Sequence, residues 1–578
     1  MKTKIYILKI LITLSFSLNA QDFGINTTNP KGVLDVESTN SAIVIPRIAE
    51  ITDVENPVNG MIAYAVDEQC FKGYAGGAWV DLSTCSAVNP MIPTSFIQES
   101  YIKATNTDEF DRFGVSSISD DGNTLVVGAY AEDSNATGIN GDQSNNDALF
   151  AGAVYVYVRS GGTWVLEAYL KGSNTEAGDS FGTSVSISGD GNTLAVGAIS
   201  EDSNATGVNG DQTNNSVSGA GAVYIFTRSG SNWTQQAYIK ATNPDNDDNF
   251  GTKVDLSDDG NNLVVSATGE LSNATGVNGN QSDNSSFTNT GAAYVYSRSG
   301  GTWTSQAYLK SSVAPTAISF YFGSACVISG DGTTIAISAY GERSNATGIN
   351  GDDSNSSTSD AGAVWVFKFD GTSWSQQAYI KASNTNFTQH FGISLDLSDN
   401  GNILAVGAFG EASNATEIDG NQSNTSAPAS GAVYTFLRSG GTSWTQTAYI
   451  KAPNTEFLDV FGTEVALSDD GTVLVVTATQ EDSSATGING NMADNSTSDS
   501  GAAYLYTRAG STWAYQSYIK AFNPDNLDLL RFVSLNGDGT TLVLSSIDED
   551  SNATGVGGDQ TDNSASISGA AYIYNITY

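Results

Sequence analysis

Hydrophobic and polar positions along this chain fall into one short pattern that recurs seven times. In residues 181–240, Phe181-Gly-Thr-Ser-Val-Ser-Ile-Ser188 alternates apolar with small polar residues, the period of a half-buried strand. Asp190-Gly191 supplies a hairpin turn, where positive φ suits glycine. Thr193–Ala198, Gly221–Phe226 and Trp233–Lys240 read as three further strands, with a long polar loop between the second and third of the four. A Tyr-Ile/Leu-Lys segment marks every copy, at Tyr101, Tyr169, Tyr238, Tyr308, Tyr379, Tyr449 and Tyr518, about 70 residues apart.

Four short strands per copy, repeated seven times, predict an all-β fold: a seven-bladed β-propeller of four-stranded blades. The two ends of the repeat array complement each other. The last copy stops after its third strand, Gly569–Tyr574, and the strand it lacks stands ahead of the first copy as Phe96-Ile-Gln-Glu-Ser-Tyr101-Ile-Lys103. The N-terminal strand is therefore expected to close the last blade and remove the open sheet edge. The recurring Trp164, Trp233, Trp303, Trp374, Trp444 and Trp513 read as packing between neighbouring blades rather than as sugar-stacking platforms.

What precedes the repeats changes the picture of location. Lys2, Lys4 and Lys9 flank an apolar run from Ile5 to Leu18 that ends in the small-residue site Ser17-Leu18-Asn19-Ala20. That is the pattern of a cleavable secretory signal, and no cysteine lies near it to carry a lipid anchor. The expected organisation is a signal peptide over residues 1–20, a small β-rich module over 21–88 and the propeller over 89–578, with no transmembrane segment after the signal. Cys70 and Cys85 lie within the small module, where an oxidising compartment would allow them to pair, while Cys326 falls in a predicted strand as a buried small hydrophobe.

Charge removes whole classes of partner. With Lys+Arg 23 against Asp+Glu 62, the net charge is −39, so neither nucleic acid nor an anionic membrane surface is an expected partner. The acids concentrate in the long loops. One recurs at the loop start as Glu132, Glu201, Glu270, Glu342, Glu411, Glu481 and Glu549; further along stand Asp142, Asn209, Asp211, Asp352 and Asp559. Oxygen donors at close spacing with turn-forming glycines suit Ca²⁺. The same side chains also cap their own backbone in Asx turns, which is their commoner use.

Catalysis has little to draw on. The single histidine, His390, has no serine or cysteine partner set, and the carboxylates are repeated rather than singled out as an acid/base pair. No catalytic residue is assigned.

Phe-Gly in the first strand (Phe181-Gly182, Phe250-Gly251, Phe391-Gly392) is followed by Val-Gly-Ala in the second (Val127-Gly128-Ala129, Val196-Gly197-Ala198) and Gly-Ala-Val-Tyr in the third. Over residues 94–578 this resembles the FG-GAP repeat of the integrin α-subunit propeller, in its bacterial form. The resemblance implies an adhesive, non-catalytic monomeric propeller that binds an extracellular protein or glycan ligand. The family's own Ca²⁺ motif does not carry over, because its hairpin is cut here to short turns such as Ser119-Asp120-Asp121-Gly122. Residues 22–88, with Gly24-Ile-Asn-Thr-Thr-Asn-Pro30, Ile45-Pro46-Arg47 and Gly77-Ala78-Trp79, are similar to a short module of Gram-negative bacterial surface proteins and to pieces of phage tail fibres. Together these imply a protein secreted or held at the outer cell surface. The competing expectation is a secreted enzyme acting on polysaccharide through the central channel.

Overall fold

A computed structural model describes residues 90–578 apart from 283, 285–288 and 314–319, together with the N-terminal positions 23–25, 34–36, 47–48, 54, 57, 61–65, 70–75 and 78–81. The predicted signal segment and Cys85 lie outside the described residues. Among the described residues every regular element is a β-strand. The chain separates into two compact units, one within residues 1–86 and one dominated by 87–578.

In the first unit Phe23–Ile25 pairs in parallel with Leu34–Val36. Arg47–Ile48, Ile62–Ala65, Cys70–Ala75 and Ala78–Asp81 form a small four-stranded sheet in which only the first pairing is parallel.

The second unit is a seven-bladed propeller. Six antiparallel sheets of four sequential strands span residues 113–170, 181–239, 250–309, 326–380, 395–450 and 461–519. The seventh contains Phe532–Leu535, Thr541–Ser546 and Ala570–Thr577, with Ser95–Ile102 as its fourth strand. Tyr101 lies opposite Tyr572 and Phe96 opposite Ile576, so the N-terminal strand completes the ring as the complementary ends predicted.

Each blade is apolar on both faces because each is covered by a neighbour. Second strands such as Thr193–Ala198 are buried at every position. The glycines of the repeat exist because blades meet backbone to backbone. A Cβ on Gly128 of blade 1 would lie 2.2 Å from the carbonyl oxygen of Gly182 in blade 2, and Gly182 itself sits at φ +92. Only glycine fits both positions. Phe181, the partner in the Phe-Gly pair, packs edge-on against Tyr224 with ring centroids 5.3 Å apart.

A polar clasp fastens the outer rim. Arg228 lies over the Trp233 ring at 5.3 Å, and Glu167 of the preceding blade accepts from both the Arg228 guanidinium (3.1 Å) and the Trp233 indole N–H (2.9 Å). Glu99 of the closing strand does the same for Arg159 and Trp164 of blade 1, so the seam where the ring closes carries the same clasp. The tryptophans are buried in these seams, as packing between blades requires.

Candidate functional site

The two ends of the propeller are built from different parts of the repeat. The short hairpins between first and second strands gather at one end; the long loops and the links between blades gather at the other.

Every long loop is organised around its first acid. Glu132 is buried, and all of its acceptor capacity is used. One carboxylate oxygen accepts from the Tyr169 hydroxyl and the Asn106 amide, both at 2.9 Å; the other accepts from Lys171 Nζ (2.9 Å) and the Ser134 N–H (3.1 Å). The lysine is that of the Tyr-Ile/Leu-Lys segment, so the pin ties the ends of the second and fourth strands to the preceding link. The same ion pair recurs as Lys240–Glu201, Lys310–Glu270, Lys381–Glu342, Lys451–Glu411, Lys520–Glu481 and Lys103–Glu549, all buried and between 2.5 and 3.1 Å. Burial pulls each ammonium below its usual pKa, and the partner glutamate pulls it back up. In blade 5 the Lys451 ammonium also donates to Ser430 Oγ (2.8 Å) and the Gly431 carbonyl (2.6 Å). A lysine ammonium thus lies at the oxygen-lined position beside each of these glutamates.

The remaining predicted loop residues lie elsewhere. Asp142 is exposed, and its carboxylate accepts from the N–H and hydroxyl of Ser144. Asp211 with Thr213, Asp352 with Ser354 and Asp559 with Thr561 repeat this turn. Asn209, at φ +56, turns its amide oxygen to the Tyr238 N–H (3.0 Å) and so covers the edge of the fourth strand. Buried glutamate and exposed aspartate of one loop do not converge. Among the described residues no group of three His, Cys, Asp or Glu side chains is arranged to hold a metal.

The pin includes an asparagine that the sequence reading passed over, although its signal was there. Asn106, Asn174, Asn243, Asn384, Asn454 and Asn523 each stand five residues after the segment's tyrosine. Each also accepts from the third-strand tyrosine, as from Tyr294 to Asn243 at 2.8 Å. Blade 4 shows the dependence: Val313 replaces the asparagine, Trp365 replaces the tyrosine, and the indole N–H turns to Ser312 Oγ instead (2.9 Å).

The first strands surround a central cavity of about 300 Å³, lined among others by Ser186, Lys253, Asp255, Asp396 and Glu464. Asp255 accepts from Ser186 Oγ (3.1 Å) and the Ile328 N–H (2.8 Å), and Asp396 accepts from the Leu467 N–H (2.6 Å). Burial pushes both carboxyls up to about 7. At the hairpin end, backbone hydrogen bonds run from blade to blade around the whole mouth. Asp120 donates to Gly189, Gly189 to Asp258, Asp258 to Gly330, Asp331 to Asp399, Asp399 to Asp469, Asp469 to Gly537 and Gly537 to Asp120, all between 2.8 and 3.1 Å. Asp120, Asp258, Asp399 and Asp469 share this ring with three glycines. A Cβ on Gly330 would lie 2.2 Å from an Asp258 oxygen and 2.3 Å from an Asp399 oxygen, so the glycines make room for the carboxylates. Burial and the neighbouring acids push Asp258 up to about 8 and Asp469 up to about 7.

Comparison with known proteins follows the same division. The FG-GAP repeat model matches residues 164–226, 233–296, 374–436 and 444–506. Each match starts at a fourth-strand tryptophan and runs through the third strand of the next blade. Residues 24–97 match a phage tail like trimerisation region. No curated protein matches the chain. Similar solved structures include a chain of the Mitotic Checkpoint Complex, 10% identical over 86% of this chain and 97% of that one (TM-score 0.43). They also include the RRP9 WD40 repeats, 8% identical over 85% and 100% (TM-score 0.42). The chain thus carries four FG-GAP repeats in register with its blades, behind a short N-terminal region that matches a phage tail like trimerisation region.

Proposed function

We propose that this chain is an exported, non-catalytic binding protein of a Gram-negative bacterium, secreted or held at the outer surface, that engages an extracellular protein or glycan through the long-loop end of its propeller. The observation that supports this reading is the seven-fold pin. Seven buried lysine–glutamate pairs anchor the start of each long loop to the fourth strand of its blade, which gives the loop end a rigid base for recognition. The match of residues 24–97 to a phage tail like trimerisation region supports joining three such propellers, which would multiply a modest affinity. The Ca²⁺ part of the proposal is confined to exposed oxygens at the loop tips, since lysine holds the glutamates.

The test is an array of glycans and matrix proteins probed with the chain, with and without Ca²⁺. Saturable binding supports the reading, and its absence on every surface removes it. A melting temperature that rises with millimolar Ca²⁺ supports the metal, and an unchanged melt removes it. The alternative, a polysaccharide-acting enzyme, draws on the central cavity with Asp255 and Asp396 held near neutrality. Turnover of any arrayed polysaccharide would establish it.

A further inference from the structure

The repeat supplies its own control for finding surface residues that the fold does not need. Each link between blades makes one tight turn whose central residue stands nine positions after the segment's tyrosine. Six of these residues are described: Phe110, Gly178, Asp247, Thr388, Leu458 and Leu527. All six lie at positive φ, from +54 to +93. All six donate their N–H to the long loop of the preceding blade, Phe110 to Ser566 and Asp247 to Ser218 at 2.8 Å, Leu527 to Ser498 at 2.9 Å. The backbone task is the same; glycine performs it at no steric cost, and aspartate at a smaller one than bulky apolar residues.

Three positions carry a bulky apolar residue instead. Phe110, Leu458 and Leu527 are 49%, 44% and 59% exposed, so their side chains gain little packing in return for a strained backbone. They are not scattered. They occupy the consecutive links into blades 6, 7 and 1, and the link into blade 5 presents an exposed Phe387. Phe457 stands exposed beside Leu458. The links into blades 2 and 3 carry Glu176-Ala177-Gly178 and Asp245-Asn246-Asp247 in the same places. Exposed apolar side chains thus run over the links into blades 5, 6, 7 and 1 and end at Leu149 and Phe150 of the blade 1 loop, 59% and 53% exposed, beyond which the described links into blades 2 and 3 are polar.

We infer that the apolar arc over the links into blades 5, 6, 7 and 1 is a docking surface for a basic protein segment with apolar anchors. This rests on the binding reading above and names the part of the loop end that does the binding. Charge selects the occupant. Exposed Asp108, Glu109, Glu456 and Asp525 stand among the apolar residues, and the links into blades 5, 6 and 7 hold no Lys or Arg between residues 386–390, 455–460 and 524–529. A second copy of this chain would bring another −39 charges to the same acids. Lysine- or arginine-rich partner surface with aromatic or aliphatic anchors satisfies both features.

The variant Phe110→Gly/Leu458→Gly/Leu527→Gly gives these links the residue that the chain already uses at 178. Binding of three synthetic peptides to the full chain and to this variant tests the inference: an amphipathic Leu/Lys helix, its Leu/Glu counterpart, and a Lys/Ser peptide without anchors. Only the Leu/Lys helix is expected to bind the native chain. Its affinity should fall at least tenfold in the triple variant, while Glu176→Gln/Asp245→Asn in the polar links stays within twofold. The triple variant should melt at the same temperature or higher, since strain is released. A lower melting temperature would assign the three residues to the fold and overturn the inference. So would equal binding of the Leu/Glu or Lys/Ser peptide, an unchanged affinity, or an altered oligomeric state in sedimentation. If the array ligand still binds the triple variant, this surface is excluded and the binding reading stands.

Discussion

The buried glutamates at one end of the propeller and the crowded aspartates at the other face the same electrostatic problem and solve it differently. At the loop end each buried glutamate has a lysine within 3.1 Å, so the charge is neutralised by a partner fixed in the repeat. At the hairpin end four aspartates crowd one ring of backbone hydrogen bonds without a lysine among them. There the relief comes from protons, with Asp258 and Asp469 pushed up to about 8 and 7, and from glycines that leave space between carboxylates. The loop end is therefore a set of seven independent pins, whereas the hairpin end is one coupled ring. The coupled ring admits only aspartate or glycine at each of its seven places. Independent pins leave each loop tip and link free to diverge, and the asymmetric features of the molecule lie there.

The largest test of this contrast removes residues 95–102. Both ends depend on a closed ring, because the Tyr101 hydroxyl and Lys103 supply the blade 7 pin and Asp120 accepts from Gly537 across the same seam. We expect loss of the single cooperative melt, read by calorimetry. Next in size is Lys240→Ala, which leaves Glu201 buried without its counter-charge and should cost about 3–5 kcal/mol in chemical unfolding. Lys240→Met with Glu201→Gln removes both charges together and should recover most of that loss.

A pH effect comes third. Besides Asp258 and Asp469, burial pushes the link acids Asp179 and Asp459 up to about 7 and Asp111 and Asp528 up to about 8. An acid whose folded pKa is raised binds more protons when folded than unfolded between about pH 4 and pH 8. Stability is then greatest on the acid side of this window and falls as pH rises through 7 to 8. The melting temperature should increase when pH is lowered from 8 to 5, and Asp258→Asn should flatten that dependence and raise the melt at pH 8. The smallest effect is expected at the loop tips: Asp142→Asn and Asp211→Asn should leave the melt where it is at any pH, because these exposed carboxylates hold only their own turns.

Much of the fold was legible in the chain. Period-two strands, a turn glycine in fixed register and a missing last strand are local signals, and they determined the number of blades, the four strands in each and the closure by Phe96–Lys103. The glycines of the repeat were legible as a family resemblance, but their reason was not: Gly128 answers to Gly182 of the next blade, 54 positions away. The candidate site divides the same way. The acids of the long loop were visible as a repeat, as were the lysines of the Tyr-Ile/Leu-Lys segment. That Glu132 belongs to Lys171 rather than to Asp142 depends on the ends of the second and fourth strands meeting in one sheet. Oxygen ligands for a metal, oxygen acceptors for an ammonium and the caps of Asx turns have the same composition, so the sequence by itself determined only that an oxygen-rich loop recurs at one place in each copy. Only the tertiary structure decided what each glutamate holds, because the packing of each blade carries a lysine of the fourth strand against it.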